Sequence, residues 1–162
     1  MLIKILIAGD GGQGVQTISD IICQAAFENG FFVNHIPNYG LEQRGGVSLS
    51  YITIGDKEIT YPKFSMPDIL AMLSKQADNR TKQYQKENVK MLNIEDYKKN
   101  LEKQSVKPQN YNIFFLGLLA KILIEKKICG EDCVLKLLEK KFGKKENWEE
   151  KKNVFELSLN YV

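Results

Sequence analysis

The chain has 162 residues, 43% of them apolar and 27% charged, with a formal net charge of +3. That length can bury a core of ordinary domain size, and the composition excludes a disordered or disulfide-stapled chain. With three cysteines and no apolar run long enough to span a bilayer, the expected setting is a reducing cytoplasm, with no membrane contact. The longest apolar stretch, Ile113 to Ile124, is broken by Lys121. No basic leader with an apolar run and a small-residue cleavage site opens the sequence, so export is not expected. Charge is uneven: residues 1–74 are net acidic and residues 75–162 are net basic. The lysines are mixed with glutamates, and no aromatic platform accompanies them. This pattern fits a solvated helical surface rather than a nucleic-acid site.

In chain order, the run Leu2 to Ala8 reads as a buried strand. Residues 14–29 read as a helix, because Val15, Ile18, Ile21, Ile22, Ala25 and Ala26 recur at helical spacing. Gly30 follows as a left-handed stop. Phe31 to Ile36 reads as a second strand, and the β-α-β order predicts parallel strands with a right-handed crossover. Pro37 to Gly46 reads as loop. Val47 to Ile54 alternates as a strand, Gly55-Asp56 turns the chain, and Glu58 to Tyr61 returns as a short strand.

Pro67 and Asp68 precede another short strand, Ile69 to Leu73. Ser74 to Glu87 is polar and helical, Val89 to Ile94 is a strand, and Pro108 ends a lysine-rich linker. The last third is helical. Tyr111 to Lys126 carries a dense apolar set. Glu131 to Phe142 opens with acids and closes with Lys140 and Lys141, as the helix dipole favours, with Gly143 as the stop. Asn147 and Glu150 have capping-box spacing for a final helix to about Leu159. The expected fold is one α/β domain over 1–162. A Rossmann-like, mixed but mainly parallel sheet with flanking helices fills 1–107, and a helical C-terminal part fills 108–162.

Two glycine motifs stand out. Gly9-Asp10-Gly11-Gly12-Gln13-Gly14 follows the first strand and opens the first helix, so it satisfies G-x-G-x-x-G in the right context. Such a turn can cradle an anion on free N–H groups, or can simply permit close helix–strand packing. The dinucleotide fingerprint also needs an acid at the end of the second strand. The chain has Val33-Asn34-His35-Ile36 there. No Lys-Ser/Thr pair follows Gly14, which excludes a P-loop. The second motif, Tyr39-Gly40-Leu41-Glu42-Gln43-Arg44-Gly45-Gly46, combines flexible backbone with a carboxylate and a guanidinium. Glu42 and Arg44 can close the loop as a pair, meet a partner across an interface, or hold an anionic ligand.

Other chemistry is sparse. His35 is the only histidine and reads as a surface or turn residue, with no Ser/Cys-His-Asp arrangement evident around it. Cys129 and Cys133 with the distant Cys23 cannot complete a four-cysteine cluster site. No metal site and no catalytic constellation is expected.

Together, Gly11-Gly12-Gln13-Gly14-Val15 and Tyr39 to Gly46 resemble the gamma subunit, or gamma domain, of the 2-oxoacid:ferredoxin oxidoreductases, the pyruvate, 2-oxoglutarate, 2-oxoisovalerate and indolepyruvate enzymes. Glu58-Ile59-Thr60-Tyr61-Pro62, Pro67-Asp68-Ile69-Leu70 and Asn112 to Leu119 extend the likeness. The Tyr61-Pro62 ending is more similar to the 2-oxoglutarate branch. The resemblance implies a non-catalytic subunit of an EC 1.2.7-type enzyme. That enzyme turns a 2-oxoacid and coenzyme A into acyl-CoA, carbon dioxide and reduced ferredoxin. It also implies alpha and beta partners that bind thiamine diphosphate with Mg, a ferredoxin-like delta partner, and iron–sulfur clusters outside this chain. On this reading Gly11, Gly12, Gln13, Gly14, Tyr39, Gly40, Glu42, Arg44, Gly45 and Gly46 face the partner subunit or the coenzyme. Two other readings stand beside it: a free-standing dinucleotide-binding oxidoreductase, and a pure scaffold whose glycines serve only packing.

Overall fold

The computed structural model describes residues 1–39 and 46–161. A five-stranded sheet has the order β2-β3-β1-β4-β5. Its strands are β1 (Leu2–Asp10), β2 (Phe32–Tyr39), β3 (Val47–Gly55), β4 (Ile69–Met72) and β5 (Lys90–Asn93). The helices are α1 (Val15–Glu28), α2 (Lys75–Arg80), α3 (Ile94–Lys103), α4 (Tyr111–Glu125), α5 (Glu131–Phe142) and α6 (Trp148–Leu159). Ile5, Leu6, Ile7 and Ala8 of β1 are fully buried, because both faces of this central strand are covered. A continuous apolar run rather than an alternating one is the sequence signature of that position.

The mixed α/β sheet is as expected, but one adjacency is not. β3 pairs antiparallel with both β1 and β2, so it lies between them. β1 and β2 therefore run the same way without touching. The β-α-β order carried the direction but not the neighbour. The returning strand β3 matches β1 over nine registered pairs, from Leu2↔Gly55 to Asp10↔Val47, and takes that place. β4 lies parallel to β1 on its other side, and β5 parallel to β4.

Four smaller expectations are also corrected. β2 runs on to Tyr39, past the expected end at Ile36. Glu58 to Tyr61 forms no strand; residues 56–68 cross the sheet face instead, where Thr53 Oγ1 donates to the Pro62 carbonyl at 3.5 Å. The lysine-rich linker contains α3, whose Asn93 cap accepts from the Glu95 N–H at 3.1 Å. Asn147 makes no side-chain cap; Glu150 is drawn away to Lys107 (3.0 Å) and Asn110 (2.5 Å). The stop after α1 is as read, with Gly30 at φ +86°. Gly143 instead stays right-handed at φ −60°.

The two faces of the sheet are covered differently. One face packs Ile3, Ile5, Ile7, Ile52 and Ile54 against α1 and α4, in a cluster that continues through α3, α5 and α6. Phe114, Phe115 and Phe155 are fully buried within it. The other face buries Leu6, Ala8, Leu49, Leu70 and Met72 under short α2, the turn Lys82–Tyr84 and the segment carrying Phe64 and Met66.

Candidate functional site

The turn Gly9 to Gly14 sits at the carboxyl end of β1, where open α/β sheets place their ligands. Gly12 and Gly14 adopt φ +88° and +77°, backbone that other residues enter only with strain. Gly14 is also pressed from outside: a Cβ there would stand 2.5 Å from Asn112 Nδ2 on the first turn of α4. Gln13 braces the turn. Its Oε1 accepts from the Asp10 N–H at 2.7 Å and its Nε2 donates to the Leu73 carbonyl at 3.3 Å. Asp10 is held in turn by Ser74 Oγ, 2.7 Å from its Oδ1.

The structure joins the first glycine motif to the last residue of the second. The Gly11 N–H donates to the Gly46 carbonyl at 3.0 Å. The strands on either side converge on the same edge, with Asp10 opposite Val47 and Tyr39 opposite Ser48. Gly11 and Gly12 are exposed, Gln13 and Gly14 half-buried, and Tyr39 is 70% exposed. Gly40, Glu42, Arg44 and Gly45 lie outside the described residues.

Chemically, the exposed turn favours negative charge or a partner's carbonyl oxygens. α1 begins here with no side-chain cap and no acid in its first turn. Its amino-terminal N–H groups therefore carry the positive end of the helix dipole with no acid of the helix's own first turn beside them. The arrangement does not suit a dinucleotide. β3 separates the end of β2 from the glycine turn. Asn34, which the sequence reading set against the ribose-binding acid, stands near the start of β2 rather than its end, and its Oδ1 is buried with no hydrogen-bond partner among the described residues.

Sequence reading missed one cluster. His35 Nε2 lies 2.8 Å from Ser50 Oγ, and His35 Nδ1 lies 3.5 Å from Asp20 Oδ1. This is a Ser-His-Asp order assembled from β3, β2 and α1, and it corrects the reading of His35 as a simple surface residue. No motif spacing could reveal it, because the three residues come from three separate elements. Burial lowers the His35 pKa below its usual 6.5, against the opposing pull of Asp20. Ser50 is fully buried, so its hydroxyl offers no path to a substrate. The cluster instead ties the edge strand β2 to α1.

The cysteines stay protonated at neutral pH where burial dominates: the Cys23 thiol is pushed up to about 12 and the Cys129 thiol to about 11. Among the described residues no group of three His, Cys, Asp or Glu side chains could hold a metal ion, and no helix is long and apolar enough to cross a membrane.

Comparison with known proteins places these features. The pyruvate ferredoxin/flavodoxin oxidoreductase family matches residues 4–102. A 2-oxoglutarate synthase subunit, KorC, of Methanothermobacter marburgensis is 44% identical over 75 residues, covering 46% of this chain and 40% of the relative. The matched region thus spans less than half of that curated relative's length. The solved 2-oxoglutarate:ferredoxin oxidoreductase of Magnetococcus marinus, with 2-oxoglutarate, coenzyme A and succinyl-CoA bound, superposes with a TM-score of 0.81 at 19% identity. That match covers 98% of this chain and 30% of the larger one. The keto/oxoacid ferredoxin oxidoreductase gamma subunit of Geobacter sulfurreducens superposes at 0.70 and 22% identity, covering 96% of this chain and 95% of that one. These two structures share the fold.

Proposed function

The chain belongs to the pyruvate ferredoxin/flavodoxin oxidoreductase family, and from that premise we propose that it is the accessory, gamma-type subunit of a 2-oxoacid:ferredoxin oxidoreductase. The complete enzyme would oxidatively decarboxylate a 2-oxoacid with coenzyme A, giving acyl-CoA, carbon dioxide and reduced ferredoxin. The subunit name borne by the KorC relative favours 2-oxoglutarate as the acid. Thiamine diphosphate with Mg and the iron–sulfur clusters would reside on alpha, beta and delta partners.

The observation that carries this reading is the joined glycine site. The Gly11–Gly46 hydrogen bond ties the first motif to the last residue of the second, beside an uncapped helix start. Such a site lets a partner chain or a coenzyme phosphate approach backbone directly. Gly11, Gly12 and Gly46 supply that backbone. Gln13 and Gly14 fix its shape. Tyr39, Gly40, Glu42, Arg44 and Gly45 would supply side-chain and loop contacts to the subunit or the coenzyme. The whole chain, 1–162, would act as one gamma-type domain in the cytoplasm.

The test is an anaerobic native pull-down of the tagged protein from its own host. The eluate is assayed for coenzyme A-dependent viologen reduction with a panel of 2-oxoacids. Co-purifying coloured, thiamine-containing subunits active on one acid support the reading. A colourless homo-oligomer without activity overturns it. Within that assay Arg44→Ala should lower holoenzyme yield or raise the apparent KM for coenzyme A. No change in either would remove that role from Arg44.

A further inference from the structure

Resting on the accessory-subunit reading, we propose that the thinly covered face of the sheet, beside edge strand β2, docks a partner polypeptide of that complex through an acidic–apolar segment. A groove of about 360 Å³ lies there, lined by Ile36, Asn38, Tyr51, Lys63, Phe64 and Tyr84 and by Pro37. Its floor is aromatic: the Tyr51 and Phe64 rings stand 5.5 Å apart, and the Tyr51 and Tyr84 hydroxyls are 3.2 Å apart. Among the described residues Lys63 is the only charged one lining it, and it is exposed. Among the described residues no carboxylate lines the groove, so the complementary surface is apolar with a negative charge at the Lys63 end.

Three observations favour a polypeptide over a small ligand. The sheet face that holds the groove carries further exposed apolar side chains. Tyr61 is 78% exposed on the segment that crosses this face, and Leu2 and Phe32, 51% and 48% exposed, are registered across the same sheet through Gly55. Among the described residues β2 pairs only with β3, so its outer edge is unpaired. Aromatic anchors around a shallow pocket are what interface cores are made of. Pro37 lies in β2 and removes a backbone donor from the strand, which disfavours simple strand addition. The partner therefore binds through side chains seated in the groove.

The test uses the co-expressed complex. A photoreactive benzoyl-phenylalanine replaces Tyr61 in one preparation and Lys140, on the exposed side of α5, in another. The proposal expects a covalent adduct with a partner subunit from position 61 and none from position 140. It also expects Lys63→Glu to reduce the co-purified partner at least tenfold, with Lys140→Glu unchanged and the thermal midpoint of both free chains equal to that of the parent. An intact complex with no polypeptide adduct from position 61, or one indifferent to Lys63→Glu, overturns the docking surface and leaves the accessory role standing. A parent chain that recovers no partner at all overturns the accessory reading itself. Loss of partner from both charge variants alike would reflect net charge and would also overturn the proposed surface.

Discussion

The two faces of the sheet use apolar surface differently. On the helical face Phe114, Phe115 and Phe155 are fully buried, and Tyr97, Phe114 and Tyr161 meet edge to face at 5.4–5.5 Å. On the opposite face Phe64, Tyr84 and Tyr51 are only half-buried, and Tyr61 stands in solvent. The first face holds the fold together. The second keeps aromatic surface accessible, at a cost in stability that a monomer has no reason to bear. Fold and docking are thus assigned to opposite sides of β1, and the glycine turn lies at its end between them.

Truncating the helical face should do the most damage. Phe155→Ala removes a ring from a closed core and should cost about 3–5 kcal/mol. The matching change on the thin face, Phe64→Ala, should cost only about 1 kcal/mol, because its ring is partly wet already. Urea denaturation of both variants measures the contrast. Equal losses would erase the distinction between the faces.

Gly117→Ala probes the closeness of the helical packing. A Cβ on Gly117 would lie 2.7 Å from Ser158 Cβ and 3.0 Å from the Phe155 carbonyl oxygen, so α4 and α6 must separate. The expected loss is about 1–3 kcal/mol. The glycine turn should be milder. Gly12→Ala meets open space and suffers only the positive φ, so about 1 kcal/mol is expected. Gly14→Ala adds the Asn112 contact and should lose more. Combining Gly14→Ala with Asn112→Ala should restore the contact part and leave the φ part, as a double-mutant cycle would show.

The smallest effect is expected at the His35 latch. Burial holds the His35 pKa below 6.5 in the folded state, so the unfolded chain binds more protons in that interval. Stability is full above pH 6.5 and falls as pH drops toward the folded pKa. Asp20 on α1 faces one ring nitrogen, opposes the burial and narrows the window; Ser50 on β3 faces the other as a neutral hydroxyl. His35→Gln should flatten the stability–pH curve just below pH 6.5, while Asp20→Asn should steepen it. A parent curve already flat there would contradict the latch.

Much of the architecture was legible because it is written in local periodicity. The apolar stripe of α1, the acids and lysines that bound α5, and the run of β1 each fix an element within a few residues. Long-range choices were not. Nothing near β2 says that β3 will come between it and β1, since that depends on a pairing made by residues 47–55. α3 hid behind its lysines, though Ile94, Tyr97 and Leu101 carry a helical spacing. Glu58 to Tyr61 had strand composition, but the chain leaves β3 across the sheet face instead of pairing at an edge. At the site, the glycine spacing exposed the turn, yet the Gly11–Gly46 bond and the Asn112 contact with Gly14 join residues more than thirty positions apart. The Asp20–His35–Ser50 cluster left no sequence signal because its residues come from three separate elements.

The most direct measurement of the central claim is reconstitution. Thiamine-binding and cluster-binding partners prepared without this chain are titrated with it anaerobically, and coenzyme A-dependent viologen reduction with 2-oxoglutarate is followed. The account predicts no turnover from this chain alone and activity that rises to saturation at a fixed subunit ratio. Turnover or nicotinamide dinucleotide binding by the isolated chain, or partners indifferent to its addition, would contradict it.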